Sequence, residues 1–138
     1  MEEEIKANAE RVVREFGPIS GIDFGYNHES VEWLDGYIQR LRQSNALDEA
    51  TREKLTSAFG SFLGECMVKC YAGAWEQYEG RWSVAFRTGD RAFPFAKVAK
   101  QMEGDPCQSI ESFFRLIPIL FPKVVGLPPQ RKVWWKFW

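Results

Sequence analysis

The chain has 138 residues, of which 45% are hydrophobic and 27% charged. This composition excludes a disordered chain and a fibrous repeat, and the formal net charge of −1 gives no overall attraction to nucleic acid or to an acidic membrane surface. No stretch approaches the ~18 apolar residues of a transmembrane segment. The acidic start predicts no export signal, and an odd number of cysteines, three, among apolar residues predicts reduced thiols in a cytoplasmic protein.

Apolar side chains at helical spacing predict three helices in the first half of the chain. The first covers about residues 2–16 and ends at Gly17–Pro18. The second covers 29–43, and the third covers 49–72 with Asp48 as its N-cap.

The third helix is predicted to lie at the centre of the fold, because its second half is apolar around most of its circumference. The exception is a polar stripe at four-residue steps, formed by Ser57, Ser61, Glu65 and Lys69. Gly60 and Gly64 adjoin this stripe, and each costs about 1 kcal/mol of helix stability relative to alanine. The close approach of another backbone would offset that cost.

The apolar period changes from 3.6 to two after the third helix. Strands are predicted at 74–78 and 81–87, joined by a hairpin turn at Glu79–Gly80, with a short third strand at 91–93. In the second strand, alternation places Trp82 on the same face as two other apolar side chains.

Two helices are predicted after the strands, one over 94–101 and one that opens at Asp105–Pro106 and is interrupted at Pro118. Helices followed by an antiparallel meander and further helices predict an α+β fold. We expect a single domain over residues 1–121 and an extended basic, aromatic tail over 122–138.

Charge is unevenly distributed along the chain. Residues 1–36 carry nine acidic and three basic side chains, whereas residues 122–138 carry four basic side chains and no acidic one. The two ends can attract each other within one chain or between chains, or they can face solvent and pair locally.

Neither a metal site nor a cofactor is predicted. His28 is the only histidine, and at the start of a helix it is expected to be solvated or to cap the helix. Cys66 and Cys70 lie one helical turn apart and are interpreted as core residues. Cys107 has no histidine beside it in sequence to act as a base, so a cysteine nucleophile is not predicted.

Glu65 has two interpretations. It can face a pocket that the glycines open, in a cleft lined by Trp75 and Trp82, or it can form an exposed pair with Lys69. Hydrolysis of the glycosidase type would also need a second carboxylate within reach. The sequence does not place the available candidates, which are Glu76, Glu79 and Asp90.

The C-terminal residues form the most unusual segment, since Trp134, Trp135 and Trp138 alternate with Lys132 and Lys136. Aromatic side chains of this size need cover. The segment can dock on its own domain, or on a protein partner or a second copy, where tryptophan is a favoured contact residue. Membrane-surface contact is less favoured, because the segment is short, and nucleic-acid stacking has the least support.

The motif Phe59–Glu65, followed by Trp75, Pro94–Lys100 and Ser109–Phe113, resembles a group of small uncharacterised bacterial domains over about residues 55–115. The resemblance implies a bacterial cytoplasmic α+β domain and brings no known activity. Some proteins of this kind are similar to immunity or accessory factors encoded beside toxins or secretion systems.

The leading prediction is a non-catalytic protein-binding or accessory module that binds a protein partner or a second copy, without nucleic acid. Its candidate surfaces are the acidic N-terminal helices and the aromatic tail. The alternative is a small enzyme or ligand-binding domain that uses Glu65.

Overall fold

A computed structural model describes residues 2–44, 47–105 and 108–120. Within them the fold is α+β, as predicted: three helices, a three-stranded antiparallel sheet and two further helices. In chain order the elements are α1 (Glu2–Ser20), α2 (His28–Ser44), α3 (Glu49–Tyr71), β1 (Ala74–Tyr78), β2 (Arg81–Ala85), β3 (Arg91–Ala92), α4 (Pro94–Met102) and α5 (Ile110–Leu120).

Helix α1 is longer than predicted, because it runs through Gly17–Pro18 to Ser20. A proline inside a helix removes one backbone hydrogen bond. At Pro18 the loss falls in the last turn, where few bonds remain, and the Ser20 hydroxyl donates 2.8 Å to the Gly17 carbonyl. The Gly-Pro pair therefore marks the end of α1 only to within a turn.

Helix α3 is the centre of the fold. Its N-cap is Asp48, as predicted: the Asp48 carboxylate accepts a hydrogen bond of 2.7 Å from the Thr51 backbone N–H. This bond lowers the pKa of Asp48. Nine consecutive residues, Phe59–Met67, are buried on all sides by the other elements. The prediction of an enclosed central helix is therefore confirmed.

The sheet has the strand order β1-β2-β3, with Trp75 opposite Val84 and Val84 opposite Ala92. The turn at Glu79–Gly80 has positive φ at both residues, 51° and 78°. This is the backbone twist that joins two antiparallel strands most directly. The hairpin is thus the one predicted, although β2 and β3 are shorter than their sequence patterns suggested.

Helix α5 begins later than predicted and continues through Pro118 to Leu120. Asp105 does not cap it. The Ser109 hydroxyl accepts a bond of 3.1 Å from the Ser112 backbone N–H, so Ser109 occupies the capping position. Sequence reasoning placed the start too early because Asp-Pro is a common opening of a helix.

Candidate functional site

Gly60 and Gly64 on α3 admit aromatic rings. A Cβ atom at Gly64 would lie 2.0 Å from the Cη2 atom of Trp75, and one at Gly60 would lie 2.4 Å from the Cδ1 atom of Phe95. The sequence predicted the close approach of another backbone. The prediction is right only in part at Gly60, where the Phe95 Cα is also near, and wrong at Gly64, where an indole fills the space.

The Trp75 ring reaches across Gly64 to the carboxylate of Glu65. Its indole Nε1 donates a hydrogen bond of 2.8 Å to Glu65 Oε2. The second oxygen, Oε1, lies 3.8 Å from Lys69 Nζ, and Glu65 is only 3% exposed. Both sequence interpretations are therefore partly realised: the carboxylate is buried beside a tryptophan, and it also pairs with Lys69.

Trp82 completes this group, which we call the Glu65 cluster (Glu65, Trp75, Trp82). The two indoles meet edge to face, with ring centroids 6.4 Å apart and planes at 86°. Trp82 is half-buried and forms the outer side of the cluster. The structure thus brings the three predicted residues together, with one wall partly open to solvent.

The carboxylates that the sequence left unplaced lie away from Glu65. Glu76 pairs with Arg91, and Glu79 is exposed in the hairpin turn. Asp90 is buried, and its burial raises the pKa of that carboxyl. Among the residues that the structure describes, Glu65 has Trp75 and Lys69 as its polar partners and no second carboxylate.

The two cysteines of α3 differ in environment. Cys66 is fully buried, and burial raises the pKa of its thiol well above the ordinary value. Cys70 is exposed, which corrects the prediction of a core residue; it lies past the point where the enclosed part of α3 ends. Its thiol donates 3.3 Å to the Tyr26 carbonyl. Neither thiol is activated as a nucleophile.

One group in the described part of the chain offers metal-ligating atoms. The side chains of His28, Glu32 and Glu111 present one atom each, all within 4.8 Å of one another. His28 Nε2 lies 2.7 Å from Glu111 Oε2, and Arg115 donates 3.1 Å to the same oxygen. A cation would have to displace both contacts. His28 is also stacked on Phe114 in addition to lying at the start of α2.

A buried polar network between α2 and α5 was not predicted. Asp35 is 6% exposed, and its Oδ2 accepts bonds from the Ser109 hydroxyl and the Glu111 backbone N–H. The Gln101 side chain accepts 2.8 Å from the Ile110 backbone N–H. These bonds satisfy the first N–H groups of α5, so the network is structural. The only sequence signal was an acid within the apolar spacing of α2.

Lys97 is the second buried charged group that sequence reasoning missed. It is 3% exposed, donates 2.9 Å to Gln108 Oε1, and lies 4.8 Å from the centre of the Phe113 ring. Burial is the main cause that lowers the pKa of Lys97 to about 8, with the nearby charge of Lys100 adding to it.

The outer side of α1 and α2 carries aromatic rings, which we call the aromatic seam (Phe16, Trp33, Tyr37). All three are half-buried, and the rings of Phe16 and Tyr37 contact Phe59 of α3. Trp33 and Tyr37 are stacked at 5.4 Å, and the Arg40 guanidinium lies 5.9 Å from the centre of each ring. None of these rings was predicted from the sequence to be part of a site.

The other predicted binding residues belong to the C-terminal segment. They lie outside the described residues, as does Cys107. These predicted binding residues are Lys132, Trp134, Trp135, Lys136 and Trp138.

Comparison of the chain with protein-family models, with curated proteins and with solved structures finds no match in any of the three. The resemblance to small bacterial domains therefore stays a prediction. Of the five helices described, none combines the length and the apolar character needed to cross a bilayer.

Proposed function

We propose that this chain is a non-catalytic protein-binding domain that holds a basic protein partner on the outer face of α1 and α2. The supporting observation is the charge of that face. Over residues 2–44 every acidic side chain except Asp35 is exposed, eight in all, against four exposed basic ones, Lys6, Arg11, Arg14 and Arg40. Such a surface attracts a basic partner and accelerates its association.

The aromatic seam gives this face the composition of a binding surface. Tryptophan, tyrosine and arginine are the residues on which binding energy concentrates, and Trp33, Tyr37 and Arg40 are in mutual contact here. Ile19, which is 64% exposed, extends the apolar area from the end of α1. Apolar groups surrounded by charges match the core and rim of a protein interface.

The Glu65 cluster supports a non-catalytic function rather than the enzyme alternative. A carboxylate that acts as a general acid or base must reach the proton it transfers. Here one oxygen accepts the Trp75 indole N–H, the other faces Lys69, and Glu65 is 3% exposed. These contacts are those of a satisfied buried group.

Site-specific photocrosslinking tests the proposed surface in the full-length protein. A benzophenone side chain at Glu29, which is exposed on α2, is compared with one at Gln77, which is exposed on β1. We expect a basic protein to be crosslinked from position 29 and not from position 77. Equal capture from both positions, an acidic partner, or a second copy of this chain would contradict the proposal.

The captured partner is then purified, and its affinity is measured for the original chain and for two variants with the same reversal of charge. Glu29→Arg is expected to weaken binding at least about tenfold and to reduce its salt dependence. Glu79→Arg, with the same change of charge in the hairpin turn, is expected to leave the affinity unchanged. Equal losses in both variants would reduce the effect to net charge and overturn the assignment of the surface.

We propose the tryptophans of the C-terminal segment, Trp134, Trp135 and Trp138, as a second, apolar contact for the same partner. Deletion of residues 131–138 is expected to weaken capture while leaving the melting temperature and circular dichroism of the domain unchanged. If the deletion unfolds the protein, the segment belongs to the core, and this part of the proposal fails while the test at Glu29 stands.

A further inference from the structure

A concavity of about 380 Å³ lies where α2 ends, α3 begins and α4 ends. Its apolar wall consists of Leu41, Leu47 and Met102. This volume falls in the range of ~300–1,000 Å³ that small-molecule sites occupy. The lining of the concavity includes no residue of the aromatic seam, no acidic side chain of residues 2–36 and no residue of the Glu65 cluster, so it does not depend on the proposed protein contact.

Two guanidinium groups line the concavity, from Arg42 on α2 and Arg52 on α3. Arg52 Nε is shielded from water and makes no hydrogen bond to any residue that the structure describes. A buried N–H without an acceptor lowers stability, and the great majority of such groups in folded proteins are paired. Within the described residues, neither guanidinium group has a hydrogen bond or an ion pair with a carboxylate.

No carboxylate among the described residues forms an ion pair with Arg42 or Arg52, although Glu49 and Glu53 line a neighbouring concavity with Arg52. Glu103 also lines the concavity, but it is exposed at the rim and pairs with neither arginine. Arg42 is held against the turn after α4, where its Nη2 would lie 3.3 Å from a Cβ atom at Gly104. Two positive charges against one negative leave the concavity suited to a single anionic group.

We propose that this concavity binds a small organic anion, whose carboxylate or phosphate group lies between Arg42 and Arg52. A guanidinium presents a planar pair of donors that matches the two oxygens of such a group. A rotation of the Arg52 side chain brings its Nε–H to the anion and supplies the acceptor that it lacks. The apolar body of the ligand packs on Leu41, Leu47 and Met102.

The test adds four probes to the full-length protein and measures their binding by isothermal titration calorimetry and by the change in melting temperature. Benzoate and phenyl phosphate carry the two candidate anionic groups on the same ring, inorganic phosphate lacks the apolar body, and benzamide lacks the charge. We expect one or both of the aromatic anions to bind more tightly than about 1 mM. Inorganic phosphate is expected to bind more weakly, and benzamide not at all. The stronger of the two aromatic anions identifies the group that the site prefers.

Three variants assign the binding to the arginines. Arg52→Met and Arg42→Met are each expected to weaken binding of the aromatic anion at least about tenfold. Arg52→Lys keeps the charge but loses the planar donors, and it is expected to weaken this binding less. The control is Arg14→Met, which removes an exposed arginine from α1. No anion binding, equal binding of benzamide, or equal losses in Arg14→Met and Arg52→Met would overturn the proposal.

Discussion

The two halves of α3 each contain a charged side chain, and the two side chains differ in whether the fold gives them a partner. In the second half, Glu65 is enclosed with its carboxylate held by Trp75 and Lys69. In the first half, Arg52 lies beside a concavity, and its shielded Nε–H has no acceptor among the residues that the structure describes. One helix therefore contains both a buried charge that the fold satisfies and a partly buried charge that it does not.

This difference separates a structural polar group from a candidate ligand contact. The great majority of buried polar groups in folded proteins are paired, so an unpaired one such as Arg52 Nε needs an explanation, and the proposed anion supplies one. Glu65 was the residue that the sequence singled out, because it interrupts an apolar helix. The sequence did not mark Arg52 as a candidate, because an arginine near the start of a helix is common.

The enclosed half of α3 is expected to be the least tolerant of substitution. Gly64→Ala places a methyl group where the Trp75 ring lies 2.0 Å from an ideal Cβ. We expect a loss of about 2–3 kcal/mol in the free energy of unfolding, measured by urea denaturation, despite the better helix propensity of alanine.

The matched control is Gly36→Ala on α2, where the nearest atom to a Cβ is the flexible end of Arg40 at 3.3 Å. There the same change is expected to raise stability, by up to about 1 kcal/mol. If both alanines stabilise the protein, Trp75 does not pack across Gly64.

Removal of the Glu65 carboxylate tests whether its bond to Trp75 is structural. Glu65→Leu leaves the buried indole N–H without an acceptor and is expected to cost about 2 kcal/mol. Glu65→Gln keeps an acceptor and is expected to stay within about 0.5 kcal/mol of the original chain, since it also removes a buried charge. Equal stabilities of the two variants would mean that the Trp75 bond contributes nothing.

The architecture could be predicted because its signals are local. The switch of apolar period after α3 placed the hairpin, and Asp48 marked the start of α3. The helix ends were less accurate: Pro18 and Pro118 lie inside helices, because a proline in a final turn disturbs few bonds.

The candidate sites could be predicted only in part, because a site depends on contacts between distant residues. Glu65 was found since a carboxylate on an apolar helix stands out by itself. The network from Asp35 to Ser109 joins residues 74 positions apart, and the pair Arg42–Arg52 exists only where α2 and α3 meet. Neither arrangement leaves a pattern in the linear sequence.

Lys97 extends the comparison to a buried cation. Its folded pKa of about 8 lies below the ordinary value of 10.5, so the unfolded chain binds more protons between these pH values. Burial of Lys97 therefore destabilises the fold fully below about pH 8, and this penalty disappears as the pH rises to 10.5.

Lys97→Met removes this penalty and also the bond to Gln108. We expect the free energy of unfolding of Lys97→Met to exceed that of the original chain by about 1 kcal/mol at pH 7, and this difference to shrink towards pH 10.5. It is measured by urea denaturation of both proteins at each pH. Taking the difference removes the contribution of Tyr26, whose pKa is raised to about 12 by burial and by the charge of Glu65. If the difference between the two free energies does not change with pH, the pKa of Lys97 is not lowered in the folded protein.

The smallest effect is expected at Arg52 in the absence of any anion. Arg52→Met removes a shielded N–H that has no acceptor in the described part of the chain, so the free energy of unfolding should rise slightly, by no more than about 0.5 kcal/mol. The contrast with Glu65→Leu is informative, because both changes replace a charged α3 residue with an apolar one. A loss at Arg52 as large as that at Glu65 would show that the fold already satisfies this arginine, and the two halves of α3 would then no longer differ.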